Sequence, residues 1–262
     1  MIYTIKNGGR PEKVDIQIVT DQIEKETEPQ TLTSGATHMA ISPDGKEIAI
    51  TVRGDVFVTS TEYKTTRRIT NTPEQERGLT FSKDGRTLYY AAERNGHWGI
   101  WKTSLTEKDE KMFTYAVKME EEMVTKPGET CFQPQVSPDG KYLAYTCKPL
   151  TGAAYAVSTD SDIFVYDLEN DTTRNLCKEI AHLPFVGYDK YPVWSPNGDK
   201  IAFRSQERAG NEADKERLMV CDLASGDVKY LTANFDYHAT NVVWDGDETL
   251  YFIAPIEATH QI

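Results

Sequence analysis

The side chains with catalytic potential are scattered along the chain. Any histidine could act as a general base, but no two of the five are at the i, i+4 spacing that places zinc ligands on one helix face. They are His38, His97, His182, His238 and His260. The sequence also contains no G-x-S-x-G segment, the strand-to-helix turn that exposes a nucleophilic serine. We therefore predict no catalytic residue in this chain.

A set of serine and acidic residues recurs in similar short segments. The set comprises Ser42, Ser82, Ser137 and Ser195, each followed two residues later by Asp44, Asp84, Asp139 or Asn197. A nucleophile has no reason to recur four times, whereas a turn that repeats would need the same hydroxyl each time. These residues are expected to form hydrogen bonds within turns.

Potential metal ligands show no diagnostic spacing. Cys131, Cys147, Cys177 and Cys221 form no C-x-x-C pair, so isolated reduced thiols are expected. There is no D-x-D-x-D-G calcium loop. We predict neither a metal site nor a cofactor.

Two charged segments could be surface features or binding surfaces. The acidic run at residues 120–122 is interpreted as a solvated face. Residues 207–217 mix both signs, which is typical of a salt-bridged loop. The alternative for this second segment is a docking surface for a catalytic domain.

The charge balance and the apolar content of the chain limit the kinds of partner that it can bind. Lys and Arg total 29 against 41 Asp and Glu, a net charge of −12, so a nucleic acid partner is disfavoured by repulsion from phosphates. No apolar run reaches the length of a membrane span, and the first residues lack the apolar core of a signal peptide. We expect a soluble monomer whose native compartment is not determined.

The elements that hold these residues are strands in a repeat. The repeated turn has four residues: Ser, then Pro or Lys, then Asp or Asn, then Gly. It separates two apolar, strand-like runs, and a third and a fourth strand follow. A fifth, degraded copy occurs at residues 243–253. Repeats of about 40 to 58 residues with four antiparallel strands predict an all-β propeller. A β-sandwich would explain the strands but not the repeated turn.

The last repeat lacks its final strands, and the first residues look like a third and a fourth strand without partners. We predict one propeller domain over residues 1–262, with both termini sharing the fifth blade. That pairing would remove an exposed sheet edge. A six-bladed alternative would need a hidden blade in residues 107–129. The predicted blades span about 38–70, 78–118, 132–177, 190–232, and 238–262 plus 1–20.

The repeats resemble the propellers of TolB and of large serine peptidases. Up to about residue 138 the chain is similar to tricorn-type peptidases, for example in Arg53-Gly54-Asp55-Val56 and Glu93-Arg94-Asn95-Gly96. From there to residue 262 it is similar to dipeptidyl peptidases of the prolyl-oligopeptidase family. The stretches that resemble this second family include Gly187-Tyr188-Asp189-Lys190-Tyr191-Pro192 and Glu207-Arg208-Ala209-Gly210.

In both families the propeller lies beside the active site and guides peptides, so the resemblance implies a proteolytic context without a transferred catalytic residue. We interpret the chain as a non-catalytic module whose partners are peptides or a protein domain on one face. A substrate-gating part of a serine peptidase and a freestanding TolB-like interaction propeller are the alternatives. Because the resemblance changes near residue 138, at a turn that every blade shares, a hybrid of two peptidases is a further hypothesis. The resembled bacterial peptidases are often periplasmic.

Overall fold

The computed structural model describes residues 2–14, 31–180, 183, 185 and 187–262, which divide into two compact units, 1–34 and 35–262. In the first unit, strands β1 (Tyr3–Thr4) and β2 (Glu12–Lys13) form an antiparallel hairpin. The predicted strand at residues 14–19 lies almost wholly outside the described residues. Whether this hairpin completes the fifth blade stays a prediction.

The second unit is a series of antiparallel sheets, the five blades of a propeller, each built from consecutive strands. Blade 1 contains β3 (Ala36–Ile41), β4 (Glu47–Val52), β5 (Asp55–Ser60) and β6 (Thr66–Arg68). Blade 2 contains β7 (Glu76–Phe81), β8 (Thr87–Arg94), β9 (His97–Leu105) and β10 (Met119–Met123). Blade 3 contains β11 (Thr130–Val136), β12 (Tyr142–Lys148), β13 (Asp162–Asp167) and β14 (Thr172–Asn175).

The remaining two blades differ in their number of strands. Blade 4 contains β15 (Asp189–Trp194), β16 (Lys200–Ser205), β17 (Arg217–Asp222) and β18 (Val228–Tyr230). Blade 5 has three strands among the described residues, β19 (Thr240–Asp245), β20 (Thr249–Ile256) and β21 (Thr259–Gln261). In the described part of the chain, helical structure is limited to a 3₁₀ turn at Phe113–Tyr115 and two short helices, α1 (Gly152–Val157) and α2 (Leu176–Glu179).

The all-β propeller with five blades is therefore confirmed. The region 107–129, which the six-bladed alternative required to hold an extra blade, instead supplies β10, the fourth strand of blade 2. β10 runs antiparallel to β9, with Glu121 opposite Thr103. Blade 2 consequently extends beyond its predicted end at residue 118.

Neighbouring blades pack face to face because the middle strands are apolar on both sides. In β8, Leu88 and Tyr90 contact the core shared with blade 1, whereas Tyr89 and Ala91 contact the core shared with blade 3. This alternation follows from the two-residue period of a strand. Similar cores lie between blades 3 and 4 and between blades 4 and 5. Burial on both faces explains why these strands read as nearly continuous apolar runs.

The repeated turns are held by the same hydrogen bonds in three blades. In blade 1, the Ser42 hydroxyl donates to Asp44 Oδ1 at 2.7 Å and accepts from the backbone N–H of Glu47 at 2.9 Å. Ser82 and Ser137 make the equivalent bonds. The predicted turn role of these serines is confirmed. In blade 4 the Ser195 hydroxyl donates to Asp199 instead, while the backbone N–H of Asn197 donates to Asp247 of blade 5 at 2.9 Å.

The two ends of the blade series are less well covered than its middle. On β3 of blade 1, Met39 and Ile41 are 65% and 57% exposed, and in blade 5 Val243 of β19 and Tyr251 of β20 are 59% and 51% exposed. The equivalent inner strands of blades 2 and 4 carry the buried Phe81 and Trp194. Monomeric behaviour remains a prediction.

Candidate functional site

A cavity of the second unit lies where the inner strands of four blades converge. It has a volume of about 1070 Å³, and its wall is formed by β3, β7, β11 and β15, the first strands of blades 1 to 4. Residues 155–159, at and after the end of α1, contribute a further part of the wall. A site of this size is adequate for several residues of an extended peptide.

The strands around the cavity are interrupted by β-bulges at matching positions. The register shifts between Arg77 and Leu79, between Phe132 and Gln135, and between Lys190 and Val193. At these bulges Gly78, Gln133 and Tyr191 have φ angles of +59°, +58° and +60°. A bulge leaves backbone groups outside the ladder and redirects side chains, here toward the cavity.

The bulges also connect neighbouring blades. The side-chain oxygen of Gln133 accepts hydrogen bonds from the backbone N–H of Tyr191 at 3.0 Å and from the Thr146 hydroxyl at 2.7 Å. The Trp194 indole N–H of blade 4 donates to the carbonyl oxygen of Gln135 of blade 3 at 2.9 Å. Trp244 of blade 5 repeats this bond to Val193 of blade 4 at 3.1 Å. The inner wall of blades 3 to 5 is thus cross-linked by polar contacts.

Cationic side chains outnumber acidic ones on the cavity wall by three to two. Arg77, Lys148 and Lys190 line it, against Glu76 and Glu212. The chain as a whole has a net charge of −12. The cavity therefore differs in sign from the average surface and favours an anionic ligand group.

The two lysines are held in place by tyrosines. The Lys190 ammonium lies 3.9 Å from the centre of the Tyr188 ring, and burial lowers the pKa of Lys190. The Lys148 ammonium lies 4.1 Å from the centre of the Tyr155 ring and donates to the Tyr155 carbonyl oxygen at 2.5 Å. Cation–π contacts of this kind orient an ammonium group without neutralising it.

The acidic residue Glu76, by contrast, belongs to an internal ion network. Arg94 donates to Glu76 Oε1 and to Glu121 Oε1, each at 2.7 Å. The Thr70 hydroxyl also donates to Glu76, at 2.8 Å. Burial raises the pKa of Glu76, and its hydrogen bonds and the Arg94 charge act in the opposite direction. Glu76 is therefore already satisfied by protein groups.

The acidic run at residues 120–122 is exposed, as the sequence indicated. Glu120 pairs with Lys118 at the exposed edge. Glu121, however, accepts from Arg94 and from the hydroxyl of the fully buried Tyr90, at 2.6 Å. Glu121 is therefore exposed and at the same time links β10 to Arg94 and Tyr90 of β8.

The charged segment 207–217 is the salt-bridged loop that the sequence indicated. Arg208 pairs with Asp214 at 2.6 Å, and Arg217 pairs with Glu207 at 2.9 Å. Asp214 also accepts from the backbone N–H of Arg208 at 3.0 Å. This prediction is confirmed; a docking role for the same loop stays a hypothesis.

The described histidines are dispersed over several blades. His38 lies on the cavity wall, where burial and then the neighbouring Arg77 charge lower its pKa. His238 Nδ1 accepts from the backbone N–H of Glu216 at 3.0 Å. His97 begins β9, His260 lies on β21, and His182 is outside the described residues. The absence of a catalytic residue stays a prediction.

The cysteines do not match the expectation of four isolated thiols. Cys131 of β11 and Cys147 of β12 lie directly opposite each other, with their Cα atoms 4.1 Å apart, and form a disulfide. Directly opposed residues in an antiparallel pair are close enough to bridge, which their separation in sequence conceals. Cys177 and Cys221 are free and buried.

Comparison with curated proteins finds dipeptidyl peptidases. The chain is 42% identical to dipeptidyl-peptidase 5 of Porphyromonas gingivalis over 123 residues, covering 47% of this chain and 17% of that protein. It is 32% identical to dipeptidyl-peptidase 5 of Porphyromonas endodontalis over 233 residues, covering 73% of this chain and 33% of that protein. The chain thus spans at most about a third of these relatives. No family model matches the chain.

Comparison with solved structures finds propellers. TolB from Acinetobacter baumannii has a TM-score of 0.56 at 18% identity, covering 83% of this chain and 50% of TolB. The propeller domain of the trilobed protease from Pyrococcus furiosus has a TM-score of 0.55 at 17% identity, and the match covers 84% of this chain and 65% of that domain. The tricorn protease has a TM-score of 0.56 at 15% identity, and the match covers 95% of this chain and 26% of the tricorn chain. The relation to peptidase and TolB propellers that the repeats indicated is confirmed.

In the described part of the chain, no helix has the length and apolarity needed to cross a bilayer.

Proposed function

We propose that this chain is the non-catalytic propeller module of a serine peptidase of the dipeptidyl-peptidase type, and that its central cavity binds the peptide substrate. The observation that carries the proposal is a cationic cavity, with Arg77, Lys148 and Lys190 on its wall, in a chain of net charge −12. The names of the two Porphyromonas relatives support the proteolytic context.

The side chains on the cavity wall indicate which chemical groups a bound peptide should carry. Ammonium and guanidinium groups attract carboxylates, so acidic side chains or a free C-terminal carboxylate would be bound best. The tyrosines at positions 155 and 191 provide apolar faces for the rest of the peptide. Backbone groups at the bulges, other than the Tyr191 N–H that donates to Gln133, would offer hydrogen bonds to an extended main chain.

Peptide binding is tested by fluorescence anisotropy with two labelled peptides that differ only in two Glu-to-Gln replacements. The acidic peptide is expected to bind at least about ten-fold more tightly and to weaken as salt is raised. Lys148→Met and Lys190→Met should each remove most of this preference. Lys118→Met, at an exposed position just before strand β10, is the matched control and should leave it unchanged. Equal binding of both peptides, or an equal effect of all three variants, would exclude the proposal.

The non-catalytic part of the proposal has a separate test. The purified chain is incubated with chromogenic dipeptide substrates, and no turnover is expected. Turnover that co-purifies with the chain and disappears on mutation of one of its own serines or histidines would show a catalytic site within the propeller. The hydrolysis assay does not depend on the anisotropy result.

A freestanding TolB-like interaction propeller is the second candidate function, favoured by the similarity to TolB over 83% of this chain. It predicts that a folded protein, rather than a short peptide, is the ligand.

The hypothesis that the chain is a hybrid of two peptidases, joined near residue 138, is a separate proposal. The match to the Porphyromonas endodontalis relative covers 73% of the chain, more than the part on either side of residue 138 contains, so this relative aligns across the supposed seam. A single natural sequence with even identity on both sides of residue 138 would exclude a hybrid.

A further inference from the structure

Three ligand-type side chains meet at the junction of blades 3 and 4. They are Asp162, the first residue of β13, Cys177 in α2, and Asp189, the first residue of β15. One carboxylate oxygen from each aspartate and the cysteine Sγ all lie within 4.8 Å of one another. Asp189 and Cys177 are buried and Asp162 is half-buried.

One buried oxygen atom of this cluster has no hydrogen-bond partner among the described residues. Asp189 is only 2% exposed, and its Oδ1 atom has no hydrogen-bond partner in the described structure. The hydroxyl of Ser205, which is opposite Asp189 in the β15–β16 pair, interacts with the Asp189 carboxylate, as does the Cys177 thiol. A buried carboxylate with an unpaired oxygen is costly, so its presence points to a group that would compensate it.

The remaining atoms of the cluster are oriented by their surroundings. Asn175 Nδ2 donates to Asp162 Oδ2 at 2.6 Å, and Asn175 Oδ1 accepts from the backbone N–H of Lys178 at 3.1 Å, which defines the direction of the amide. The backbone N–H of Ile163 points at Cys177 Sγ from 3.3 Å. Donors of this kind stabilise an anionic sulfur and leave the second oxygen of Asp162 for another interaction.

We propose that Asp162, Cys177 and Asp189 form a Zn²⁺ site that joins blades 3 and 4, with the Ser205 hydroxyl or a water molecule as the fourth ligand. A thiolate with two carboxylates suits zinc and disfavours Mg²⁺ and Ca²⁺, which prefer oxygen ligands alone. Binding forms a Zn–S and two Zn–O bonds and releases the thiol proton, and any proton on Asp189, to solvent. Among the residues that the structure describes, one further cluster of this type, Glu129 with Cys131 and Cys147, is different because its two cysteines are bonded to each other.

The site is tested with Co²⁺ as a spectroscopic substitute for Zn²⁺. Chelator-treated protein is titrated with Co²⁺ alone, and a thiolate-to-cobalt charge-transfer band that saturates at one equivalent is expected. Zn²⁺ should then abolish the band by displacement. Absence of the band in the wild type, in protein shown to be folded by circular dichroism, would overturn the proposal.

The variants separate ligation from general destabilisation. Cys177→Ala should lose the band, whereas Cys221→Ala, which removes the other buried free thiol from the same core, should keep it. Asp162→Asn changes a half-buried side chain and should weaken Co²⁺ affinity at least about ten-fold even if Cys177→Ala does not fold. A rise in melting temperature with Zn²⁺ should be seen in the wild type and in Cys221→Ala only. A band of equal strength in Cys177→Ala, or unchanged affinity in Asp162→Asn, would assign the metal to another place.

Discussion

The backbone N–H of Tyr191 donates to the side-chain oxygen of Gln133 at 3.0 Å, so the bulge of blade 4 is tied to the bulge of blade 3 at the cavity wall. Both residues have left-handed backbone conformations, which residues other than glycine rarely adopt. The same oxygen of Gln133 also accepts from Thr146. One amide thus holds two backbone irregularities in a defined position.

Replacing Gln133 with leucine should therefore lower the free energy of unfolding by about 1–2 kcal/mol, because the Thr146 hydroxyl loses its acceptor and the Tyr191 N–H keeps only Thr146 Oγ1, at 3.2 Å. Chemical denaturation measures the change. Gln75→Leu is the control: its side chain accepts one hydrogen bond, from the exposed Arg77, and a change of a few tenths of a kcal/mol is expected. Equal losses in both variants would show that the Gln133 contact contributes nothing specific.

The turn serines make stability depend on pH in a defined direction. The hydrogen bond from Ser42 is the main cause that lowers the pKa of Asp44. A carboxylate with a lowered pKa in the folded state contributes stability above its unfolded pKa, and this contribution is lost as the pH falls through the folded value. Ser42→Ala should thus cost about 1 kcal/mol near pH 7 and less below about pH 3.

Unfolding of Ser42→Ala and the wild type at the two pH values measures this difference. Ser42→Ala in an Asp44→Asn background is the control, since no carboxylate remains to titrate and the pH dependence of the difference should shrink. A Ser42→Ala penalty that grows on acidification would contradict the assignment.

The sequence predicted best those features that depend on local contacts. In the turns of blades 1 to 3 the serine and the aspartate are two residues apart, so their hydrogen bond is implied by the repeat itself. The bulges at Gln133 and Tyr191 were missed, because neither residue type signals a left-handed conformation. Their geometry depends on contacts between blades.

The features that need long-range information were missed for the same reason. Asp162, Cys177 and Asp189 are brought together by two blades and a helix, and no short spacing connects them. Cys131 and Cys147 become neighbours only through the β11–β12 register. The cavity itself was visible in sequence only as the general expectation of a peptide-guiding propeller.

The disulfide between Cys131 and Cys147 should contribute measurably to stability. It closes a loop with a sequence separation of 16, for which the loss of unfolded-chain entropy predicts roughly 3 kcal/mol. Reduction, or the Cys131→Ser/Cys147→Ser double variant, should lower the melting temperature by several degrees. Reductant should leave the melting temperature of the double variant unchanged, and a wild type insensitive to reductant would show that the bond is not formed in solution.

A carboxylate at the boundary of blades 1 and 2 offers the sharpest test of how the blades are joined. Glu47, 2% exposed at the start of β4, accepts from the backbone N–H groups of Phe113 and Thr114 at 3.0 and 2.8 Å, and from the Thr114 hydroxyl at 2.7 Å. Its two oxygens therefore receive donors from the 3₁₀ turn that precedes β10. Because Glu47→Gln replaces one oxygen by an NH₂ group, at least one buried donor loses its acceptor.

Glu47→Gln should thus cost about 2–3 kcal/mol of unfolding free energy, although it preserves the shape of the side chain. Glu62→Gln, at an exposed position between β5 and β6, is the matched control and should change it by less than about 0.5 kcal/mol. Hydrogen exchange at the amides of Phe113 and Thr114 should accelerate in Glu47→Gln but not in Glu62→Gln, because these N–H groups are the ones left unpaired. Unchanged protection at both amides would show that the 3₁₀ turn is held by its packing, with Phe113 buried in the core between the blades, rather than by Glu47.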